Sequence, residues 1–209
     1  MYHKWERRLF ILVVMVLAAC LLILVGQTAQ SISKSFPTPA GYEYSRSEAR
    51  LKYADLPRGY QSAGRADKVD YSNGNGLTYR FHPSKYGIST AISQDLIVFP
   101  DSSEAKKEFT NQISYYKSVN LTLHEEDLSN QGNKSMESFA RGCREVVKQG
   151  FYNQPAAETR YCVSVSLYKN VLSVVNAHVF TDQLLTMEKY NDLVDTLNHR
   201  IITAFGQSN

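Results

Sequence analysis

The pattern of apolar and polar positions divides this chain into one uninterrupted apolar run and a long region in which the two kinds of residue alternate. The run reads LFILVVMVLAACLLILV, from Leu9 to Val25, and contains no charged residue and no proline. At about 1.5 Å per residue, it spans most of a hydrocarbon core about 30 Å thick. The alternative is a helix buried in a protein core, but a soluble helix of this length normally has a polar face. The pattern therefore predicts one N-terminal transmembrane helix, a signal anchor over residues 9–27.

The charges on either side of the run predict its orientation. Three basic residues lie immediately before it, Lys4, Arg7 and Arg8, whereas Gly26–Ser33 contains none. Basic flanks stay on the cytoplasmic side of a membrane. We therefore expect a single-pass protein of the cell membrane, with residues 1–8 as a cytoplasmic head and the C-terminal domain extracytoplasmic.

The segment Leu17-Ala18-Ala19-Cys20 offers a second interpretation of the anchor. It resembles the lipobox of bacterial lipoproteins, in which the cysteine becomes the lipidated first residue of the mature protein. Residues after such a cysteine are usually small and polar, whereas Leu21–Val25 is apolar. The sequence favours an uncleaved anchor and leaves lipidation at Cys20 open. Both interpretations put the domain on the same side of the membrane.

Composition separates a linker from a folded domain. Residues 28–44 are rich in Ser, Thr, Pro and Gly, and Pro37 and Pro39 block regular structure. We expect a flexible tether there. Residues 45–206 are long enough to bury one hydrophobic core, and we expect them to form one extracytoplasmic domain.

Short elements follow the tether. Ser45–Asp55 predicts a helix capped by Ser45, with Glu48 at capping-box spacing, and Pro57 ends it. A turn signal at Asn73-Gly74-Asn75-Gly76 then precedes a region of mainly strand character. The predicted strands are Leu77–Phe81, Tyr86–Phe99, Leu121–Glu125, Ser138–Gln149, Thr159–Tyr168 and Val171–Phe180.

Two longer segments repeat apolar residues with the period of a helix. Asp101–Lys117 has cap chemistry at Asp101, Ser102 and Ser103, and one apolar face, made by Ala105, Phe109, Ile113 and Tyr116. Thr186–Phe205 has one apolar stripe, made by Tyr190, Leu193, Val194, Leu197, Ile201 and Phe205.

The strand pattern predicts how the sheet is paired. Lys169-Asn170 separates two apolar strands and predicts a tight hairpin, in which Leu167 faces Leu172 and Val165 faces Val174. Strands joined by short hairpins, with two main helices, predict an α+β domain. We expect an antiparallel sheet of about five or six strands covered by those two helices.

The domain contains two cysteines, Cys143 and Cys162, in consecutive predicted strands. They lie about equally far from a turn near Tyr152-Asn153, so an antiparallel pairing brings them within disulfide reach. An extracytoplasmic location is oxidising enough for the bond to persist. The alternative is a pair of unlinked buried thiols.

Charge argues against one class of partner. The net charge is +3, of which Lys4, Arg7 and Arg8 less Glu6 supply +2, so the remainder carries about +1. A nucleic-acid-binding domain normally shows a basic stripe, and the sequence has none. We expect no nucleic acid partner.

Candidate chemistry in the sequence is sparse. His124 precedes the acidic run Glu125-Glu126-Asp127, which could hold a cation but is more typical of a solvated turn. His178 is expected opposite Tyr161, as an ordinary half-buried histidine. The sequence has no HExxH, GxSxG or dinucleotide-binding pattern, so we expect no enzyme, no metal and no cofactor. Asn120 and Asn133 begin glycosylation sequons, whose use is left open.

A set of short motifs resembles a known family. The motifs are Ala54–Tyr60, Ile97–Pro100 leading into Ser103–Ala105, Val163–Val171 and His199–Ile201. Together they resemble the extracytoplasmic sensor-like domains of bacterial lipoproteins and of receptor-type serine/threonine kinases, over about residues 50–205. The resemblance implies an antiparallel sheet with packed helices, a cysteine pair and a ligand-binding cavity, and it implies no catalytic residue.

These observations favour a membrane-anchored, extracytoplasmic binding or sensor-like domain that is not catalytic. Its expected partners are the lipid bilayer and a small apolar or amphipathic ligand. The alternative is an accessory or structural subunit of a larger membrane complex, in which Ala18, Ala19 and Cys20 allow close contact with a membrane-protein partner. A hydrolase using His178 or His124 is a third hypothesis.

Overall fold

The structure is a computed structural model that describes residues 42–62, 66–71, 73–83, 92–126, 136–147, 158–180 and 185–206. All of them belong to one of the two compact units of the chain, Phe36–Asn209. The expected head and anchor, Cys20, Asn133 and most of the tether lie outside the described residues. Among the described helices, none combines the length and the apolar character that a membrane crossing requires.

The described residues form three α-helices and eight strands. The helices are α1 (Tyr42–Ala49), α2 (Ser102–Ser118) and α3 (Met187–Gly206), and a short 3-10 turn covers Tyr53–Asp55. The strands are β1 (Tyr60–Ser62), β2 (Asp67–Tyr71), β3 (Gly74–Pro83), β4 (Ile92–Val98), β5 (His124–Glu125), β6 (Ser138–Val147), β7 (Glu158–Tyr168) and β8 (Val171–Phe180).

All eight strands join one antiparallel sheet, which confirms the α+β prediction. The order is β1-β3-β4-β8-β7-β6-β5, and β2 pairs with β3. The expected five or six strands were too few. The strands that were not predicted, β1 and β2, are short and lie at one edge of the sheet. A segment such as β2, with Val69 between polar residues, has too few apolar residues to show the alternation of a strand.

The helices cover both faces of the sheet. On one face, α1 and α3 pack on the larger core, to which Ala49, Leu96 and Leu193 belong. On the other face, α2 packs through Ala105 and Phe109 on a second core, which includes Ile97. Leu96 and Ile97 are adjacent in β4 and point to opposite faces, as the pleat of a strand requires.

The two longer helices and the hairpin agree with the sequence pattern. Asp101 caps α2 by accepting a hydrogen bond from the Glu104 backbone N–H at 2.9 Å. In the β7–β8 hairpin, Leu167 is paired with Leu172 and Val165 with Val174. The structure confirms these predictions. They were possible because each depends on contacts between residues that are close in sequence.

The predicted helix over Ser45–Asp55 is wrong in its bounds and its cap. The helix begins at Tyr42 and ends at Ala49, so the predicted tether is shorter than expected at its C-terminal end. The Ser45 hydroxyl lies inside the helix and donates to the Ala204 carbonyl at 3.0 Å. The helix stops because the Leu51 N–H bonds to the buried Gln94 side chain at 2.6 Å and so does not continue the helical ladder.

Candidate functional site

The cysteine pair of the sequence prediction is a disulfide bond. Cys143 and Cys162 are directly opposite in the β6–β7 register, with Cα atoms 4.1 Å apart. Cys162 is buried and Cys143 is exposed. The Met187 Sδ at the start of α3 lies 3.6 Å from the Cys162 sulfur. The bond therefore joins two strands of the sheet beside the first turn of a covering helix.

One residue of the acidic run after His124, Glu126, makes an ion pair within the fold. His124 and Glu125 are exposed on β5, and Glu126 forms a salt bridge with Arg141 of β6. Asp127 lies outside the described residues. Within the described ranges, no group of three or more His, Cys, Asp or Glu side chains could hold a metal ion. Asn120 is exposed directly after α2.

His178 lies where the register prediction placed it. It is paired with Tyr161, and the two ring centroids are 5.2 Å apart. The Tyr161 hydroxyl donates to Asn176 Oδ1 at 3.0 Å, and Tyr116 of α2 donates to the same atom at 2.8 Å. This polar row bonds α2 to the sheet, which is a structural role.

A groove of about 970 Å³ lies at the β1–β3 edge of the sheet and is the candidate site. One side of it is the sheet, and the other side is the segment Arg50–Tyr53 that follows α1. We call it the β3 groove. Its lining residues are Arg50, Leu51, Lys52, Tyr53, Ser62, Ala66, Lys68, Leu77, Tyr79, Arg80 and Phe81.

The sheet side of the groove follows from strand alternation and register. Leu77, Tyr79 and Phe81 alternate along β3 and share one face, which is the face of the larger core. Ser62 of β1 is paired with Phe81, and Lys68 of β2 is paired with Leu77. Paired residues point to the same face of a sheet, so both polar side chains stand beside the apolar floor.

Two buried polar contacts hold the other wall. The Gln94 side chain, fully buried in β4, accepts from the Leu51 N–H at 2.6 Å and donates to the Ser173 hydroxyl at 3.1 Å. Asp55 accepts from the Lys52 N–H at 2.8 Å and from the Arg200 guanidinium of α3. The Arg50–Tyr53 wall is therefore fixed to the sheet through Gln94 and to α3 through Asp55.

The groove carries positive charge above an apolar floor. Among its described lining residues, four are cationic and none is acidic. Lys52 pairs with Glu48 at 3.2 Å, so it is largely neutralised. The Arg50 guanidinium stands 5.8 Å from the centre of the Tyr79 ring, a cation–π contact. Burial raises the pKa of Tyr79, and the guanidinium groups of Arg50 and Arg46 partly oppose that rise.

A second, smaller cavity of about 440 Å³ lies between Asp55–Arg58 and α3. Its lining carries both signs of charge, with Asp192 and Lys189 from α3. Because its charges are balanced and its lining is more polar in residue type, it is a weaker candidate than the β3 groove.

A ligand-binding cavity was expected from the resemblance, but no residue of the β3 groove was predicted to bind a ligand. The local signal was present in Arg50-Leu51-Lys52-Tyr53, where basic and apolar residues alternate. What was missing was the pairing of β2 with β3, which brings Lys68 beside Leu77.

Comparison with known proteins adds no relative: no protein-family model matches the chain, and no curated protein or solved structure matches it significantly.

Proposed function

We propose that this protein is a membrane-anchored, extracytoplasmic binding domain that takes an apolar or amphipathic ligand in the β3 groove. The single observation that carries the proposal is the groove itself, which has a volume of about 970 Å³. Ligand sites are clefts of about 300–1,000 Å³ with mainly apolar walls and a few polar groups. The β3 groove fits this description in size and in lining.

The floor of the groove supports an apolar chain as the bound moiety. Leu51, Tyr79 and Phe81 are at most 9% exposed, so they form a packed surface that changes little on binding. Leu77 is partly buried and open to the groove. Covering apolar area of this kind stabilises a complex by about 25 cal/mol per Å² before the costs of association are subtracted.

The lining favours binding over turnover. Among the described lining residues, the polar groups are hydroxyls, amines and guanidinium groups, and no histidine or carboxylate accompanies them. A nucleophilic hydroxyl is normally activated by a neighbouring general base. The described lining residues include no histidine or carboxylate to serve as that base, so the proposal assigns no reaction to the groove.

The anchoring part of the proposal rests on the run Leu9–Val25. The Arg50–Tyr53 wall follows α1 directly, and residues 28–41 connect α1 to the expected anchor.

A tryptophan reporter at the rim of the groove tests the proposal. Trp5 is the only tryptophan of the chain, and Tyr53 is 59% exposed at the rim. The variant Trp5→Phe/Tyr53→Trp, as the full chain in phosphatidylcholine nanodiscs, is titrated with dodecanoate and with dodecanol. We expect a saturable change in emission for at least one of them.

Two further variants make the result specific. Leu77→Asn places an amide on the floor and is expected to weaken binding of both ligands at least about tenfold, because apolar contact is lost. Ile113→Asn makes the same kind of change at a partly buried position on α2, against the other core. It should leave binding unchanged in samples whose unfolding transition is intact. A titration with no saturable response to either amphiphile overturns the proposal.

A further inference from the structure

Given the proposed function of the β3 groove, we infer that its ligand is an anionic amphiphile, a molecule with one long apolar chain and one acidic headgroup. The chain lies on Leu77 and Tyr79, and the headgroup is bound by Arg50 and Lys68. The binding chemistry is a charge-assisted hydrogen bond from a guanidinium or ammonium group to a carboxylate or phosphate oxygen.

Positive charge is concentrated in the β3 groove. The chain beyond its first eight residues carries a net charge of about +1, yet four cations and no carboxylate line the groove among its described residues. The Lys52–Glu48 pair is set aside, and strand alternation points the Arg80 side chain to the face opposite Tyr79, so two cations remain, Arg50 and Lys68. Like charges gathered without a counter-charge repel one another, and an anionic ligand relieves that repulsion.

The cations lie on opposite sides of the apolar floor. Lys68 stands on β2 beside Leu77, with which it is paired. Arg50 stands on the other wall, over the Tyr79 ring. The neighbouring carboxylate of Asp67 is paired with Thr78 and therefore points to the opposite face of the sheet. A headgroup between the walls is thus within reach of two cations, and the nearest carboxylate on β2 points away from it.

The electrostatic potential at the floor favours negative charge. The guanidinium groups of Arg50 and Arg46 lower the pKa of Tyr79 against the effect of burial, so they stabilise negative charge at its hydroxyl. Arg46 is buried and donates to the Asn75 carbonyl at 2.8 Å, which holds its charge in place. Negative charge carried by a ligand at the same place is stabilised for the same reason.

The apolar floor distinguishes this ligand from a simple anion. A free phosphate ion leaves the floor uncovered and gains nothing from it. An acyl chain covers the floor while its headgroup reaches the cations.

The experiment uses the tryptophan reporter in the full chain in phosphatidylcholine nanodiscs, at about pH 8, where a fatty acid is ionised. Dodecanoate, dodecanol and dodecyltrimethylammonium share one chain and differ in headgroup charge. We expect dodecanoate to bind at least about tenfold more tightly than dodecanol, and the cation to bind most weakly. The preference should shrink in about 0.5 M NaCl, because salt screens exposed charges.

Variants separate the headgroup contacts from the chain contacts. Arg50→Gln/Lys68→Gln is expected to reduce the preference for dodecanoate to about twofold or less and to leave dodecanol binding unchanged. Lys189→Gln/Lys117→Gln removes the same charge from exposed positions on α3 and α2 and should keep the preference. Retention of the preference in the groove variant overturns the assignment of Arg50 and Lys68.

Other outcomes are equally decisive. Equal affinity for dodecanoate and dodecanol overturns the anionic headgroup and leaves the groove as a site for apolar ligands. Inorganic phosphate or adenosine monophosphate binding as tightly as dodecanoate overturns the amphiphile. Binding to phosphatidylglycerol vesicles without binding of monomeric dodecanoate overturns the groove as the site and points to a surface contact. No response to any amphiphile overturns the proposed function as well.

Discussion

Asp55 and Arg200 form a two-point ion pair that joins the wall of the β3 groove to α3. The Arg200 Nη1 and Nη2 atoms donate to the two carboxylate oxygens of Asp55 at 2.6 Å and 2.5 Å. The Asp55 side chain is 6% exposed and the Arg200 side chain 28%. Through its Lys52 contact, the same carboxylate shapes the turn that carries Tyr53 to the rim.

Replacing Asp55 with alanine is expected to lower the free energy of unfolding by about 2 kcal/mol. The change removes a bidentate pair and leaves the Arg200 charge without its partner. Arg200→Lys should cost less, about 1 kcal/mol, because an ammonium group makes one contact where the guanidinium makes two. Urea unfolding measures both. An Asp55→Ala variant as stable as the wild type contradicts the prediction.

Gln94 is expected to support both stability and the shape of the groove. Gln94→Leu leaves the buried Leu51 N–H without its acceptor, so the free energy of unfolding should fall by about 2 kcal/mol. The Arg50–Tyr53 wall should loosen, and the affinity of the tryptophan reporter for dodecanoate should fall with it. Gln61→Leu, at an exposed position of β1, is the matched control and should change neither quantity.

The Cys143–Cys162 bond is expected to contribute about 3 kcal/mol to the free energy of unfolding. The two cysteines are 19 positions apart, and closing a loop of this length restricts the unfolded chain by about that amount. Cys143→Ser/Cys162→Ser should unfold at lower urea concentration than the oxidised protein. A reductant should lower the midpoint of the wild type and have no effect on the double variant. Equal midpoints for the oxidised wild type and the double variant contradict the prediction.

Tyr60 is expected to limit stability at alkaline pH. Its side chain is 1% exposed, and burial raises its pKa to about 12 from 10.0. Because the folded state holds the phenol proton more tightly than the unfolded state, stability is full below about pH 10 and falls as pH rises through 12. Between about pH 7 and 11 this one group removes about 1 kcal/mol.

Tyr60→Phe removes this titration and is the test. Within the described residues, the Tyr60 hydroxyl has no hydrogen-bond partner, so the change should not lower stability at neutral pH. The variant should lose less stability than the wild type between neutral pH and about pH 11, measured by urea unfolding at each pH. Tyr53→Phe removes an exposed hydroxyl and is the control. An equal loss of stability between neutral pH and about pH 11 in Tyr60→Phe and in the wild type contradicts the prediction.

The anchor makes a prediction about location. The full chain should remain in the membrane pellet after alkaline carbonate extraction, and a tag after Asn209 should react in intact cells with a reagent that does not cross membranes. Intact mass should correspond to the uncleaved chain with one disulfide and no lipid, and Cys20→Ala should leave extraction unchanged. A soluble chain, or a tag reactive only after lysis, contradicts this topology.

The parts of the fold that were predictable from sequence are those formed by residues that are close to one another along the chain. Ala105, Phe109 and Tyr116 recur at helical spacing, so α2 was visible, and Lys169-Asn170 defined a hairpin whose pairs follow by counting. The disulfide was predictable for a related reason, since the two cysteines are equally far from the predicted turn at Tyr152-Asn153 and lie opposite each other in the β6–β7 register.

The groove depends on contacts that no local pattern contains. Gln94 reads as an ordinary polar residue in a strand, yet it ends α1 by binding Leu51, a residue 43 positions earlier. Lys68 lies in a polar segment with little strand character and acquires its place beside Leu77 only through the edge of β3. Such contacts are set by which strands become neighbours, and a single sequence does not fix that order.

The order of the strands has a consequence for how a ligand enters. The groove lies on β3 at one end of the sheet, and the disulfide joins β6 to β7 toward the other, with β4 and β8 between them. The covalent bond therefore restrains the half of the domain that is remote from the groove. On the groove side, β1 and β2 are short and each pairs only with β3 among the described strands, which places them among the first elements to separate by subglobal opening. Amide hydrogens of β1 and β2 should exchange with solvent well before those of β7 and β8, and access to the groove then requires no disruption of the crosslinked strands.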